Sequence, residues 1–222
     1  MTVLVVGASR GIGHEFARQW RAEGARVVAT ARDEAGLARL RELGCEALPL
    51  DVTDAASVAG LGWRLDGERF ATVVVNAGVY GPRADGLEAP SAADFDTVMH
   101  TNVLGPMRVL PALQDLLAPD ARVAVLSSIM GSIGGRTSPG GWLYRASKAA
   151  LNSVLKDVAL TWAARGVVCV AVHPGWVQTD MGGPGATLTP ERSVADLRRL
   201  LSRLQPADNG GFFNHDGHPI PW

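Results

Sequence analysis

The sequence predicts an α/β fold: a doubly wound, seven-stranded parallel sheet with helices on both faces. Two observations carry that prediction. Short runs rich in valine alternate with longer segments whose apolar residues recur at helical spacing, and such alternation builds a helix–sheet–helix sandwich. The valine-rich runs, such as Thr2–Val6 and Val167–Val172, are also apolar almost throughout. Strands apolar at every position are buried on both faces, as in a parallel sheet under helices.

Taken in order, Thr2–Val6 is the first strand. Ile12–Glu23 is the first helix, with Ile12, Phe16 and Trp20 at helical spacing. Arg26–Thr30 is the second strand, and Glu34–Leu43 a helix ending at Gly44. Glu46–Leu50 is the third strand. A helix over Ala55–Leu65 follows, with the Asp54 side chain placed to cap its free amides. Ala71–Val75 is the fourth strand. Ala93–Leu117 is helical in period, but Gly105-Pro106 and Pro111 predict a bend or break inside it. Arg122–Leu126 is the fifth strand, Trp142–Arg165 a long helix stopped by Gly166, and Val167–Val172 the sixth strand. Pro190–Leu204 is the last helix and Gly211–Phe213 a short seventh strand. Tyr80–Ser91, Ser127–Gly141 and Trp176–Thr189 are irregular.

Composition narrows the function. A chain of 222 residues makes one domain, 1–222, on the usual scale of ~100–200 residues per domain. With 21 Lys+Arg against 22 Asp+Glu it lacks the basic footprint of a nucleic-acid binder. At 47% hydrophobic and 19% charged residues it is not a disordered chain. No apolar run approaches the ~18 residues a membrane helix needs, and no basic residue precedes the first apolar stretch as in a secretory signal. Cys45 and Cys169 make no C-x-x-C pair, and His14, His100, His173, His215 and His218 show no metal-binding spacing. The expectation is a cytoplasmic enzyme or binding protein with no metal, nucleic-acid or membrane partner. Glycine is the outlier, with 26 residues, about 12% against a usual ~7%. These glycines must serve particular backbone geometries.

The first such place is Gly7-Ala8-Ser9-Arg10-Gly11-Ile12-Gly13, between the first strand and the first helix. Glycines there let the chain turn sharply and let a pyrophosphate approach the peptide amides, while the helix N-terminus supplies a positive field. The strand–turn–helix context makes the pattern a dinucleotide-binding signal. The end of the second strand selects the nucleotide. A site for NAD normally presents Asp or Glu to the ribose 2′-hydroxyl, and NADP needs a cation for the 2′-phosphate. Here Ala31 stands where the acid is expected and Arg32 follows. Arg10 lies within reach, and Asp33 belongs to the start of the next helix. Two cations without a well-placed carboxylate favour NADP(H) over NAD(H).

Tyr144 and Lys148 are spaced i,i+4 and share one helix face. A nearby ammonium favours the phenolate and lowers the phenol pKa. Tyr144 then serves as acid for a carbonyl oxygen or as base for an alcohol, and a hydroxyl from Ser128 polarises the same oxygen.

Several motifs stand in order along the chain: the GxxxGxG turn, Asn76-Ala77-Gly78 after the fourth strand, Asn102 in Thr101–Gly105, and Ser127-Ser128 after the fifth. Tyr144-Arg145-Ala146-Ser147-Lys148 and Pro174-Gly175 follow. Over essentially all of residues 2–222 the chain resembles the short-chain dehydrogenase/reductase family. It is most like the small C-factor/Sniffer-like carbonyl reductase group, on Ser128–Ile133, Gly140-Gly141-Trp142, His173–Gly183 and Asp216–Trp222. The resemblance implies a Rossmann-type sheet of order 3-2-1-4-5-6-7 and an NADP(H)-dependent oxidoreductase acting on a small carbonyl or alcohol. It assigns catalysis to Asn102, Ser128, Tyr144 and Lys148, with Asn102 carrying a water of a proton relay and Lys148 also meeting the nicotinamide ribose. Ser128, rather than Ser127, stands three residues before Gly131, as the family's S-x-x-G pattern requires. The cofactor contacts implied are Gly7, Ser9, Arg10, Gly11, Ile12, Gly13, Arg32, Asp51, Val52, Asn76, Ala77, Gly78, Pro174, Gly175, Val177 and Thr179. A homodimer or homotetramer built on Ala93–Leu117 and Trp142–Arg165 is implied as well.

Fifteen residues, Ile129–Leu143, separate Ser128 from Tyr144, a little more than the family pattern, and five of them are glycines. This segment is expected to be a loop over the pocket. Trp142 and Trp176 are candidate pocket walls, with Tyr80 and Met130 further out. No cation is obviously placed to grip a carboxylate, which favours an uncharged carbonyl compound. The competing expectation is a non-catalytic NADP-binding signalling or redox-sensing protein of the C-factor type.

Overall fold

The computed structural model describes residues 1–83 and 86–222, so part of the irregular stretch Tyr80–Ser91 lies outside the described residues. Seven parallel strands form one sheet: β1 (Thr2–Val6), β2 (Arg26–Ala31), β3 (Glu46–Pro49), β4 (Phe70–Val75), β5 (Leu117–Leu126), β6 (Val168–His173) and β7 (Phe212–Asn214). Their order is β3-β2-β1-β4-β5-β6-β7. The winding reverses between β1 and β4, and a crevice opens at the carboxyl ends of strands where such a reversal occurs.

Alternate residues of each central strand feed two separate cores. Leu4 and Val6 join Val73, Val75, Val123 and Val125 on one face. Val3 and Val5 join Val74 and Ala124 on the other. Helices α1 (Gly11–Ala22), α2 (Glu34–Glu42) and α8 (Pro190–Arg203) cover the second face through Phe16, Trp20, Leu40 and Leu197. The first is covered by α3 (Ala55–Ala59), α4 (Leu61–Arg64), α6 (Gly105–Ala112) and α7 (Trp142–Trp162), through Val58, Leu61, Leu110 and Leu155. Double-sided burial is why the strands carry no hydrophobic alternation.

Three segments depart from the sequence reading. The helix expected over Ala55–Leu65 breaks at Gly60, although Asp54 caps its first turn as expected, accepting from the Ala56 amide at 3.0 Å. Ala93–Leu117 divides into α5 (Ala92–Met99), a π-turn over His100–Leu104, α6, and a 3₁₀ turn over Gln114–Leu116. The π-turn stands directly before Gly105-Pro106. Gly105 lies so close to Val52 that an added Cβ would meet the Val52 side chain at 2.9 Å. Leu117 belongs to β5, pairing with Phe70; the register shifts through Pro119 and Asp120 (φ 58°) and resumes at Arg122 opposite Thr72. Proline interrupts the ladder there and hides the strand's first half from a periodicity reading.

No helix among the described residues is long and apolar enough to cross a membrane. No group of three or more His, Cys, Asp or Glu among the described residues is placed to hold a metal ion.

Candidate active site

The phosphate-binding turn is shaped by contacts that exclude side chains. Gly7 (φ 83°) packs against the main chain of Ala77, where a Cβ would come within 2.7 Å of the Ala77 nitrogen. Its amide donates to Thr30 Oγ1 at 2.9 Å. Asn76 Nδ2 donates to the Gly7 carbonyl at 2.6 Å, so β4 pins the turn from the far side. Gly13 lies beneath: its Cβ would fall 2.2 Å from that carbonyl and 2.6 Å from Asn76 Nδ2. Helix α1 begins here without a side-chain cap and without an acid in its first turn, whereas α2 and α3 are capped by Asp33 and Asp54. An uncapped N-terminus presents free amides and positive potential to an anion.

This turn floors a cleft of ≈ 450 Å³. Gly7, Ser9, Arg10, Gly11 and Ile12 form the floor, Arg32, Asp51 and Val52 the nucleotide end, and Asn76, Ala77 and Gly78 one wall. Pro174 and Thr179 form the opposite wall, and Tyr144 and Lys148 the inner end. Among the predicted cofactor contacts, Gly13, Gly175 and Val177 do not line it. Gly13 supports the turn from below. Gly175 takes φ 82° at a bend where Leu188 and His215 press on it. Val177 is buried and bridges to Leu188.

At the nucleotide end Arg32 is exposed and faces the cleft. Asp33 caps α2, accepting from the Gly36 amide at 2.7 Å, and is thereby committed away from a ribose. Burial pushes the Asp51 carboxyl up, but bonds from the Thr53 amide and hydroxyl and the charge of Arg32 outweigh it and hold the group below its ordinary value. Arg10 pairs with Asp180 at 2.5 Å, linking the phosphate turn to the segment after β6. Two features here were not read from the sequence. Arg39 Nε donates to the Ser9 carbonyl at 3.0 Å, adding a cation two helical turns beyond Arg32. Asp180 and Gln178 also line the cleft; they lie in an irregular segment where no periodicity marks a facing side.

At the inner end α7 places Tyr144 and Lys148 one turn apart, 8% and 4% exposed. Lys148 Nζ donates to the Leu126 carbonyl at 2.7 Å, anchored to the end of β5. Burial dominates both titrations. The Tyr144 phenol is pushed up to about 12, with the Ser128 hydroxyl acting in the opposite direction. The Lys148 ammonium is pushed down to about 8. Desolvation of the phenol outweighs the bond from Ser128. Ser127 Oγ donates to Asn152 Oδ1 at 2.6 Å and is occupied, which leaves Ser128 as the hydroxyl beside Tyr144. Of the two serines it is Ser127 that lines the cleft; Ser128 caps the 3₁₀ turn Ile129–Gly131 by accepting from the Met130 amide, with its hydroxyl on the Tyr144 phenol.

Asn102 is fully buried in the π-turn. Its Oδ1 accepts from the Val79 amide at 2.8 Å, and its Nδ2 donates to the Val79 carbonyl and Ser147 Oγ at 2.8 and 3.0 Å. The amide side chain is thus spent on joining the β4 loop to α7. Gly78 lies between, 3.2 Å from Asn102 Oδ1 and 3.4 Å from Lys148 Nζ measured from a built Cβ.

Tyr80 stacks on Tyr144 with ring centroids 4.6 Å apart, and its hydroxyl lies against Gly141 beside Met130. Trp142 opens α7 and is 36% exposed; Trp176 is 55% exposed with its indole N–H donated to the Gly182 carbonyl. Neither tryptophan lines the cleft, and nor does Tyr80, which lies on the Tyr144 ring. His173 and His215 lie near Gly175, and burial pushes His173 down to about 4, an uncharged side chain at neutral pH.

Comparison with known proteins places this constellation in a class. A family model described as enoyl-(acyl carrier protein) reductase matches residues 7–208. The C-signal protein of Myxococcus xanthus is 41% identical over 152 residues, 68% of this chain and 91% of its own. The 1-hydroxy-2-glutathionyl-2-methyl-3-butene dehydrogenase of a Rhodococcus strain is 35% identical over 100% of this chain and 99% of its own. A Burkholderia multivorans protein assigned as a short-chain dehydrogenase/reductase, solved with bound NADP, superposes with a TM-score of 0.91 at 35% identity, covering 100% of this chain and 99% of that one. The carbonyl reductase Sniffer of D. melanogaster gives 0.88 at 27% identity over 100% and 99%. The chain belongs to the short-chain dehydrogenase/reductase family and is an oxidoreductase of that family, similar to the C-signal and Sniffer proteins.

Proposed function

We propose that the protein is an NADP(H)-dependent carbonyl reductase or alcohol dehydrogenase in which Tyr144 is the acid/base. The observation that carries this reading is a single cleft with Arg32 at one end and Tyr144 and Lys148, backed by Ser128, at the other. The bound nicotinamide supplies or accepts hydride; the protein supplies position and electrostatics. A phenol held near 12 keeps its proton at neutral pH, the form needed to protonate a carbonyl oxygen. Ser128 holds the same oxygen, and Lys148 brings positive charge to the inner end. Since the Asn102 side chain is committed to Val79 and Ser147, a relay water there would meet its main chain. The names of Sniffer, a carbonyl reductase, and of the Rhodococcus dehydrogenase, whose substrate carries a hydroxyl, point to the same chemistry. NADPH consumption against a panel of aldehydes, ketones and diones tests it. Turnover confined to enoyl thioesters overturns it.

The outer end favours NADP(H). Replacing Arg32 by alanine is expected to weaken NADPH binding about tenfold, the scale of one charge-assisted hydrogen bond, and to leave NADH binding within about twofold. Fluorescence titration of both cofactors measures this, and equal losses reject the assignment.

The likeness to C-signal supports a second reading, an NADP-bound signalling or redox-sensing protein in the cytoplasm. In that case Tyr144→Phe rescues a deletion phenotype as well as the wild type does. We also propose a homodimer or homotetramer. Met107 on α6 and Leu160 on α7 are 51% and 66% exposed, apolar surface on the helices such an assembly would use. Sedimentation at micromolar concentration is expected to give at least twice the chain mass.

A further inference from the structure

The end of the chain returns to the active site. After β7, Gly217 closes a turn with its amide on the Asn214 carbonyl at 2.9 Å, and Phe213 and Pro219 form an antiparallel bridge. The Ile220 amide donates to the Phe212 carbonyl at 2.7 Å. The Trp222 indole then stacks on the buried Phe212 ring, centroids 5.3 Å apart and 23° from parallel. Held this way, the segment turns its carbonyls toward the loop that follows Ser128. A main-chain oxygen of Trp222 accepts from the Ile133 and Gly134 amides at 2.6 and 3.0 Å. The Pro221 carbonyl accepts from the buried Ser132 hydroxyl, which in turn accepts from the Gly135 amide at 2.9 Å.

Only one 3₁₀ turn separates Ser132 from Ser128. The Gly131 amide donates to the Ser128 carbonyl at 2.8 Å and the Ser132 amide to the Ile129 carbonyl at 3.0 Å. That turn rests on α7 at the catalytic lysine, where a Cβ on Gly131 would stand 2.9 Å from the Lys148 carbonyl carbon. Beyond it, the loop to Gly141 holds four more glycines and has little local rigidity of its own. A hydroxyl that must bond the reacting oxygen needs better support, since a misplacement of about 1 Å can lower a rate about 10²-fold.

We infer that Pro221 and Trp222 are positioning residues for catalysis: tied to β7 through Phe212, they hold the Ser128–Ser132 turn down on α7 and set the Ser128 hydroxyl against Tyr144. The inference rests on the proposed roles of Ser128 and Tyr144. Its test uses the 222-residue chain carrying Trp222→Ala, Trp222→Phe or Ser132→Ala, with NADPH and a carbonyl substrate accepted by the wild type. Trp222→Ala is expected to lower kcat about tenfold with the NADPH Kd unchanged, and Trp222→Phe to restore it because a ring again stacks on Phe212. Ser132→Ala, which cuts the tie from the other side, gives the same kcat loss. Hydrogen exchange of the Ile129–Gly134 amides accelerates while that of β1 and β4 does not. Wild-type kcat in Trp222→Ala overturns the inference, as does a kcat loss that tracks NADPH affinity and is not rescued by phenylalanine. If the wild type reduces no carbonyl, the proposed function fails by itself. Amide exchange then decides the strap, and unchanged protection at Ile129–Gly134 rejects it.

Discussion

Tyr144→Phe is expected to lower kcat for carbonyl reduction by roughly 10³-fold, inside the 10²–10⁴-fold range of a positioned general acid, with the NADPH Kd held within about twofold. The substitution removes one oxygen and little else. The ring keeps its stack on Tyr80 and its place on α7, and Lys148 keeps its bond to the Leu126 carbonyl. What is lost is the proton that a phenol near 12 retains through the neutral range, along with the group Ser128 faces. Steady-state rates and cofactor titration on the same preparation separate the two effects. Turnover equal to the wild type would falsify the assignment of Tyr144. The wild type carries its own signature. Reduction needs the phenol protonated, which holds well above neutrality, so Tyr144 contributes no inflection below about pH 10. Lys148 is charged below about 8 and neutral above it. Its positive charge is therefore lost as pH rises, and kcat for reduction is expected to fall through about pH 8. Replacing Lys148 by methionine removes that inflection.

The sheet was legible because its signal is written twice, in composition and in period. Val3 to Val6 all point into one core or the other, and no surface requirement dilutes the run. The meeting of Tyr144 and Lys148 in the cleft was legible because they share a helix, where i,i+4 spacing alone fixes their proximity. Irregular segments hid what they bring together. The partners of Arg10 and Arg83 at Asp180 and Met181 depend on how the chain after β6 folds back, and no local pattern encodes that path. Tyr80, Trp142 and Trp176 were read as walls, but none of them lines the cleft: Tyr80 lies on the Tyr144 ring, and Trp142, at the first position of α7, is partly exposed. The burial of the phenol was hidden for another reason. A Tyr–Lys spacing shows the attraction, but only the folded protein shows that both groups lie beneath the surface, where desolvation acts on each.

Gly13→Ala is expected to be the most damaging single-methyl change in the phosphate turn. Sequence pattern alone gives Gly7, Gly11 and Gly13 equal standing, and their surroundings separate them. At Gly11 (φ 57°) a side chain strains the backbone, but its Cβ would meet only the Thr179 methyl at 3.3 Å, the end of a side chain that can turn aside. At Gly13 it would meet a main-chain oxygen at 2.2 Å and the Asn76 amide at 2.6 Å, and neither can yield locally. The Gly7 carbonyl is held by Asn76, and the Gly7 amide by Thr30. Moving the carbonyl therefore moves the whole turn away from β4. Overpacking of this kind destabilises by about 1–3 kcal/mol, which for a domain of this size lowers Tm by roughly 2–4 °C per kcal/mol. The affinity for NADPH should fall more steeply, by at least about tenfold, because the amides that face the phosphates belong to the segment displaced. Gly62→Ala is the matched control. It adds the same methyl inside α4, where no atom lies within 4 Å, and should raise stability by about 0.5–1 kcal/mol without touching the cofactor. Thermal melts with and without NADPH distinguish the two. If Gly13→Ala retains the wild-type increase in Tm on adding NADPH, the turn does not hold phosphate as its geometry indicates.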